Sequence, residues 1–508
     1  MIRCQHLVVV HFHLRPGGVR RVIELTLPAI ARRLGLRRIT LASGEAVEPA
    51  WLRHLRASLK GIEVVEVVER EFGYVSEQSA QHLRERLAKR VPKLLADADA
   101  LWLHNPSLAR NVPLVEALNA EAVARGIPQI YHHHDFWFDN RWARWPELRA
   151  CGYRSLDAVA RVIFPPAPVH IAINRLDLEQ LASGSGLRAE WLPNPAATEA
   201  RPSQNQIRLA QRWLANLIGR KTPAWVFPTR LLRRKNMAEA VLLTRWLRPD
   251  AWLITTAAVS SEDEAAYARK LIHAARKNQW KVHFGALAGS SNRTPSVSAL
   301  MAAAEAVVLT SVQEGFGLPY LEATAVGRPL IGRALPNVLP DLKRLGLKLP
   351  HLYDDVWIAT ECFDFAAERR RQESIWRAWR GSLPVSVRGM AEPPAILDDV
   401  GASVPFSRLT LSAQLEVLAH PPEATWSVCA PHNRALRTIA RAIESGSLRA
   451  GEWPEKAVHA LSMETYAARF AAALGRAGTG QPGGAAELQR NLIRQRLGRD
   501  FVYPILIE

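Results

Sequence analysis

The sequence predicts an α/β protein built from two Rossmann-like, doubly wound domains, and three observations carry that prediction. A chain of 508 residues exceeds what one hydrophobic core ordinarily organises. Short apolar runs alternate with segments of helical periodicity from His6 to Arg333. The glycine-bearing and charged motifs fall just after the apolar runs, where open α/β sheets bind their ligands.

His6–Phe12 (HLVVVHF) reads as a first parallel strand, buried on both faces. Pro16-Gly17-Gly18 turns the chain, and Val19–Leu34 has helical spacing. The double glycine lets a ligand approach the backbone closely. Strand and helix signals then alternate over Arg38–Ser43, Ile62–Val67, Gln78–Leu95 and Ala98–His104. Asn105-Pro106 breaks the chain, and a helix follows over Asn111–Arg125. The strand Pro128–Tyr131 runs into His132-His133-His134-Asp135-Phe136-Trp137. Four polar residues in a row at a strand's carboxyl end are out of place in a core. Imidazole is a common metal ligand, but adjacent strand residues point to opposite faces, so three consecutive histidines do not converge easily. His132 and His133 are expected to shape the loop. Pro168–Ile171 is a further strand, and Asn174 caps a helix over Arg175–Ala182. Glu190–Leu192 then leads into Pro193-Asn194-Pro195. The polar run Ala196–Asn205 is the expected boundary, closing an N-terminal domain of residues 1–196.

The second domain, 206–475, opens with a helix over Gln206–Ile218 and a strand over Ala224–Pro228. Thr229–Asn236 (TRLLRRKN) follows, before a helix over Met237–Leu247. Arg230, Lys235 and a helix N-terminus near Asn236 make a diphosphate clamp of guanidinium fork, ammonium and dipole. Strand Ala251–Thr255, helix Glu262–Lys277, strand Trp280–Phe284 and helix Ser296–Ala304 lead to the apolar run Glu305–Thr310. Gly315-Phe316-Gly317 then turns into a helix over Leu318–Val326, which Gly327 stops before a strand at Pro329–Ile331. A glycine turn entering a helix N-terminus is a natural phosphate site. Glu314 and Glu322, with seven residues between them, flank it. Carboxylates accept paired sugar hydroxyls, so the stretch suggests a nucleotide-sugar pocket, with Glu314 exposed in its loop. Residues 350–410 carry proline breaks and the basic run Arg369-Arg370-Arg371, and read as an insertion. Ala477–Gly484 is a flexible linker to a tail, 485–508, with a basic helix over Ala486–Leu497 and the apolar end FVYPILI. That tail is expected to pack on the N-terminal domain or on a partner subunit as a homo-oligomer contact.

Glu314-Gly315-Phe316-Gly317-Leu318-Pro319 with Glu322, then Gly327-Arg328-Pro329, resembles the E-x7-E segment of retaining GT-B glycosyltransferases of family 4. The resemblance implies two Rossmann-like domains facing each other across a cleft, and front-face sugar transfer from a nucleotide diphosphate with retention. It implies that Gly17 and Gly18, and the backbone of Gly315, Phe316, Gly317 and Leu318, lie against the donor diphosphate. Arg230 and Lys235 would neutralise that diphosphate as it leaves. The family's glycine before the arginine is Thr229 here, and its Lys-Gly is Lys235-Asn236; neither change removes a charge. Glu314 would hold the donor sugar hydroxyls and Glu322 the ribose. His134 would reach the reacting sugar, and Asp135 would orient it or approach the acceptor. Glu455–Ala473 resembles the family's closing helices, whereas the stretch just beyond Arg333 does not match.

Lysines and arginines total 66 against 48 aspartates and glutamates, a net charge of +18 that attracts anions. An anionic or phosphorylated acceptor is therefore favoured, and an anionic membrane surface is a candidate partner. No nucleic acid partner is expected, since the donor-site positions keep their chemistry. No Asp-x-Asp motif occupies a convincing strand end, so no metal is expected, and no cofactor beyond the nucleotide sugar as co-substrate. The absence of a pyridoxal-binding lysine motif counts against a cofactor-dependent GT-B phosphorylase, one alternative; a non-catalytic basic binding protein is the other. No apolar run approaches membrane-spanning length, which excludes a transmembrane-helix class. The N-terminus has no signal-peptide pattern. Four scattered cysteines show no metal or disulfide spacing, so a cytoplasmic setting is expected.

Overall fold

The computed structural model describes residues 4–183, 186–196, 201–258, 262–289, 294–398, 401–478 and 484–508. Two compact units result. Unit 1 comprises residues 1–196, 382–390 and 459–497; unit 2 comprises 197–381, 391–458 and 498–508.

Unit 1 holds a seven-stranded parallel sheet: β1 His6–Val10, β2 Arg38–Ser43, β3 Glu63–Val68, β4 Ala100–His104, β5 Gln129–His133, β6 Val169–Ala172 and β7 Ala189–Trp191. Their spatial order is β3-β2-β1-β4-β5-β6-β7, so the winding reverses between β1 and β4. Every residue of β1, β4 and β5 is buried. Side chains there alternate between two cores. Leu7, Val9, Trp102 and Ile130 enter one; Val8, Val10, Leu101, Leu103 and Tyr131 enter the other. Helices form where caps allow them: the Asn111 side chain accepts from the Leu114 N–H at 3.1 Å, and the Asn174 side chain from the Asp177 N–H at 2.8 Å.

Unit 2 holds a six-stranded parallel sheet: β8 Ala224–Phe227, β9 Trp252–Thr255, β10 Val282–His283, β11 Ala306–Leu309, β12 Leu330–Arg333 and β13 His351–Tyr353. The order β10-β9-β8-β11-β12-β13 reverses between β8 and β11. A small antiparallel pair, β14 Trp357–Ala359 with β15 Ser403–Pro405, lies outside that sheet. Beneath the sheet's carboxyl edge, Arg333 pairs with Glu239 and, at 2.9 Å, with Asp355, while the Tyr353 hydroxyl donates to Glu239 at 2.7 Å.

The expected insertion at 350–410 is only partly one. His351–Tyr353 completes the unit 2 sheet, because its apolar residues pair with β12, and the basic run sits on the helix Phe365–Ser382. The sequence partition also ends differently at the C-terminus. The closing segment divides into helices Glu455–Ala460 and Met463–Leu474, and the second joins unit 1. There Phe470 meets Trp102 at 4.8 Å between ring centroids, and the helix lies along Gly18–Leu34. The tail helix Ala485–Arg496 also packs on unit 1, against Leu156–Ile163. Leu488, Leu492 and Ile493 are buried, and Arg496 bridges Asp139 at 2.8 Å and Asp177 at 2.7 Å. The apolar end of the tail, residues 498–508, belongs instead to unit 2, where Ile505 joins the core. Of the two expected linkers, residues 197–200 and 479–483 lie outside the described residues. Among the described residues, no helix is long and apolar enough to cross a membrane.

Candidate active site

Ligands of doubly wound sheets bind at the carboxyl edge where the winding reverses. Both reversals in this chain carry the motifs read from the sequence.

In unit 2 the loop after β8 carries Arg230, Arg234 and Lys235, and the loop after β11 carries Ser311 and Glu314. The two loops are laced together. The Thr310 hydroxyl lies 2.9 Å from the carbonyl oxygens of Lys235 and Asn236, and the Val312 N–H donates to the Arg234 carbonyl at 2.9 Å. Lys235 Nζ bonds Glu314 Oε1, which also accepts from the Ser311 hydroxyl at 2.6 Å. Arg234 reaches Glu314 Oε2 at 3.3 Å, and the Asn337 amide donates to the Glu314 carbonyl at 2.6 Å. The Lys235 and Glu314 side chains are only 8% and 9% exposed. Glu314 is therefore not the exposed loop carboxylate expected from the sequence. Its charge is drawn inward by two cations.

Burial pushes the Lys235 ammonium down to about 8, against the pull of Glu314. Burial pushes the Glu314 carboxyl up, but Lys235, Arg234 and the Ser311 hydrogen bond outweigh it and hold it below its ordinary value. Arg230 is half-buried and close enough that its charge also opposes protonation of Lys235. Gly317 enters the helix Leu318–Ala325 with φ 72°, and a Cβ there would meet the Tyr320 ring at 2.7 Å. Only glycine suits that turn. Gly315 is half-buried, Phe316 buried, and Glu322 half-buried one helical turn further on.

In unit 1, Gly17 and Gly18 are exposed at the N-terminus of Gly18–Leu34. Gly17 has an extended backbone and Gly18 has open space around its Cα. Among the described residues, a Cβ built at Gly18 would meet nothing within 4 Å. β5 extends two residues beyond the expected strand, so His132 and His133 belong to the sheet rather than to the loop. Alternation separates them. His133 turns away to bond the Ser107 hydroxyl at 2.8 Å and His170 at 2.9 Å. His132 shares its face with His134, and β4 adds His104, whose Nδ1 lies 3.1 Å from His134 Nε2. Among the described residues these three form the one group with metal-ligand reach, their nitrogens all within 4.8 Å. The consecutive triplet does not converge; alternate members plus a neighbour do. The set offers nitrogen donors only, and two of its members already meet in a hydrogen bond.

The Asn105 carboxamide oxygen accepts from the His134 N–H at 3.1 Å and the Asp135 N–H at 3.0 Å, and Arg141 pairs with Asp135 at 3.3 Å. Burial pushes His134 down to about 4 and His11 to about 3, and holds His104 and His132 well below the ordinary value. The imidazoles are thus neutral, beside the Asp135–Arg141 ion pair. The sequence reading named the ends of both loops but missed Arg234, Ser311, Asn337, His104 and Asn105. Arg234 lay in plain view beside Lys235, and Asn105 was read only as a chain break.

No family model matches the chain. It is similar in sequence to the mannosylglucosyl-3-phosphoglycerate synthase of Petrotoga mobilis, at 25% identity over 363 residues, covering 67% of this chain and 67% of that protein. The mannosylglucosylglycerate synthase of the same organism is 22% identical over 285 residues, covering 51% of this chain and 64% of that protein. The chain thus spans about two thirds of these relatives' lengths. Among solved structures, a glycosyltransferase of Rickettsia africae superposes with TM-score 0.51 at 12% identity, covering 93% of this chain and 98% of that one. A trehalose-6-phosphate synthase superposes with TM-score 0.51 at 11% identity, covering 93% and 99%. The fold is GT-B, with its two Rossmann-like sheets.

Proposed function

We propose that this chain is a glycosyltransferase that moves a sugar from a nucleotide diphosphate sugar to an acceptor, with retention at the anomeric carbon. The observation that carries the reading is the buried Lys235–Glu314 pair with Arg234 and Arg230 beside it, at the point where the unit 2 sheet reverses. Nothing in the packing of a bare α/β domain calls for so many cations at one edge. A diphosphate does.

On this reading the arriving diphosphate competes with Glu314 for Lys235 and Arg234, and Glu314 turns its freed oxygens to the sugar hydroxyls. Arg230, Lys235 and the backbone N–H groups of Gly315–Gly317 stabilise the charge that grows on the leaving group. The acceptor oxygen bonds the anomeric carbon as the bond to the diphosphate breaks, and the acceptor proton leaves with the diphosphate. Glu322 binds the ribose. His134, held neutral, sits beside the reacting sugar, and Asp135 orients the sugar or meets the acceptor. The chain's own cations do the neutralising, so transfer needs no metal ion. The acceptor carries an anionic group. The net charge of +18 supports this, as does similarity to a relative whose name specifies a phosphoglycerate product.

The test is to incubate the protein, in chelator, with nucleotide sugars of each base and with glycerate, 3-phosphoglycerate and their glucosides. Products are read by mass spectrometry, and anomeric configuration by proton coupling in NMR. The reading expects one donor family to be consumed, with the configuration kept. An inverted product, or turnover only with added divalent cation, contradicts the retaining or the metal-independent part.

A further inference from the structure

The loops after β1, β3 and β4 meet at the carboxyl edge of the unit 1 sheet, and one side chain there has no acidic counterpart among the described residues. Tyr74, from the loop after β3, is 42% exposed and rests on the residues after β1, its ring 5.8 Å from Phe12 and 5.1 Å from His13. Arg110, from the loop after β4, lays its guanidinium over that ring at 4.5 Å. Its position is enforced. The Val75 N–H donates to the Arg110 carbonyl at 2.9 Å, and the Asn111 amide donates to the carbonyls of Glu71 and Gly73 at 2.8 Å each. The neighbouring cations all have acids: Arg15 pairs with Glu45, Arg141 with Asp135 and Arg144 with Glu147. Arg110 pairs with none among the described residues, and its buried Nε has no hydrogen-bond partner. The Tyr74 hydroxyl lies beside it, its oxygen 2.9 Å from His13 Nε2.

We propose that Arg110 and Tyr74 form the subsite for an oxyanion, phosphate or carboxylate, on the acceptor. The proposal rests on the glycosyltransferase reading and names where that reading's anionic acceptor is held. A guanidinium with its donors unspent and a phenol hydroxyl beside it match such a group in charge and in number of donors. The stacking on Tyr74 fixes the plane of the fork before the ligand arrives.

Calorimetric titration of the full chain with 3-phosphoglycerate, with glycerate, and with nucleoside diphosphates tests it. The variants are Arg110→Met, Arg110→Lys, Tyr74→Phe and Arg230→Ala, each checked for an unchanged melting midpoint. Arg110→Met should weaken 3-phosphoglycerate by about tenfold or more and leave nucleoside diphosphate binding intact. Arg110→Lys should fall between it and wild type, and Tyr74→Phe should lose about threefold to tenfold. Arg230→Ala should do the reverse, sparing 3-phosphoglycerate. Equal affinity for glycerate would identify the carboxylate as the recognised group; much weaker glycerate binding would identify the phosphate. Binding of 3-phosphoglycerate that ignores Arg110, or is lost with Arg230 instead, overturns the subsite while leaving the donor reading intact. Absence of any 3-phosphoglycerate binding overturns it too. Nucleoside diphosphates that fail to bind, beside 3-phosphoglycerate binding that follows Arg110, would sink the donor reading and keep the subsite.

Discussion

Lys235 and Glu314 at the edge of the unit 2 sheet are nearly as buried as His104 and His132 at the edge of unit 1, yet the two clusters meet desolvation in opposite ways. Unit 2 keeps its groups ionised by pairing them: the Lys235 ammonium against the Glu314 carboxylate, with the Ser311 hydroxyl and the Arg234 guanidinium filling the remaining lone pairs. Unit 1 keeps its groups neutral. Burial takes the charge from His104, His132 and His134; His104 and His134 stack and share a hydrogen bond, with His132 tilted against His134. An ionised pair is a store of cation that an anionic ligand can claim. A neutral cluster lets a sugar ring approach without a competing charge.

The comparison breaks most visibly in acid. His11, His104, His132, His133 and His170 are buried, and burial lowers each from an ordinary value of 6.5. The folded state therefore takes up these protons at lower pH than the unfolded chain does. The associated stability is present above about 6.5 and is lost as pH falls toward 4, by about 1.4 kcal/mol per pH unit for each histidine that stays neutral. Hydrogen exchange resolved by segment should show β1, β4 and β5 losing protection near pH 5 before β8 and β11 do. Simultaneous loss in both sheets would contradict the assignment.

Lys235→Ala is the next largest effect. It leaves Glu314 buried beside Arg234 alone, so urea denaturation should show a loss of about 3–5 kcal/mol. Donor turnover should fall by about a hundredfold to a thousandfold. Glu314, expected from the sequence to be exposed but only 9% exposed, follows the same logic: Glu314→Ala leaves Lys235 buried without its acid and should also destabilise. A Lys235→Ala protein of wild-type stability would show that the pair is not built as described.

A smaller effect sharpens the contrast between charged and neutral clusters. Because burial lowers Lys235 to about 8, the free protein loses that cation as pH rises through 8, while a bound diphosphate would restore it. Nucleoside diphosphate affinity should therefore weaken as pH climbs above about 8, by up to about tenfold per unit. Lys235→Arg should remove that dependence, since a guanidinium stays charged. The smallest effect concerns Gly18, whose added Cβ meets nothing within 4 Å. Gly18→Ala should change stability by less than about 1 kcal/mol in either direction. If it nonetheless impairs donor turnover, ligand approach to that backbone is the reason; unchanged turnover removes Gly17-Gly18 from the site.

Much of this was legible because parallel strands announce themselves as apolar runs. Helix Met237–Leu247 and the strands beside it lie where the sequence placed them, and the E-x7-E stretch stands at the unit 2 reversal. What the sequence hid was pairing at a distance. Glu314 reads as a loop carboxylate until Lys235 and Arg234, some eighty positions earlier, are folded against it. His104 reads as the last residue of a strand until β5 is laid beside β4. His351–Tyr353 is too short to declare itself a strand without β12 to pair with. The return of Met463–Leu474 to unit 1 depends on Phe470 finding Trp102, a contact no local periodicity encodes.

The most direct test of the donor site is a thermal-shift and calorimetric panel of uridine, guanosine and adenosine diphosphates against wild type and Arg230→Ala. A ligand at about one hundred times its dissociation constant stabilises the native state by about 2.7 kcal/mol, well within reach. The account expects one base to bind, with affinity at least about tenfold weaker in the variant. A flat response across the panel, or an Arg230→Ala protein that binds as well as wild type, would contradict it.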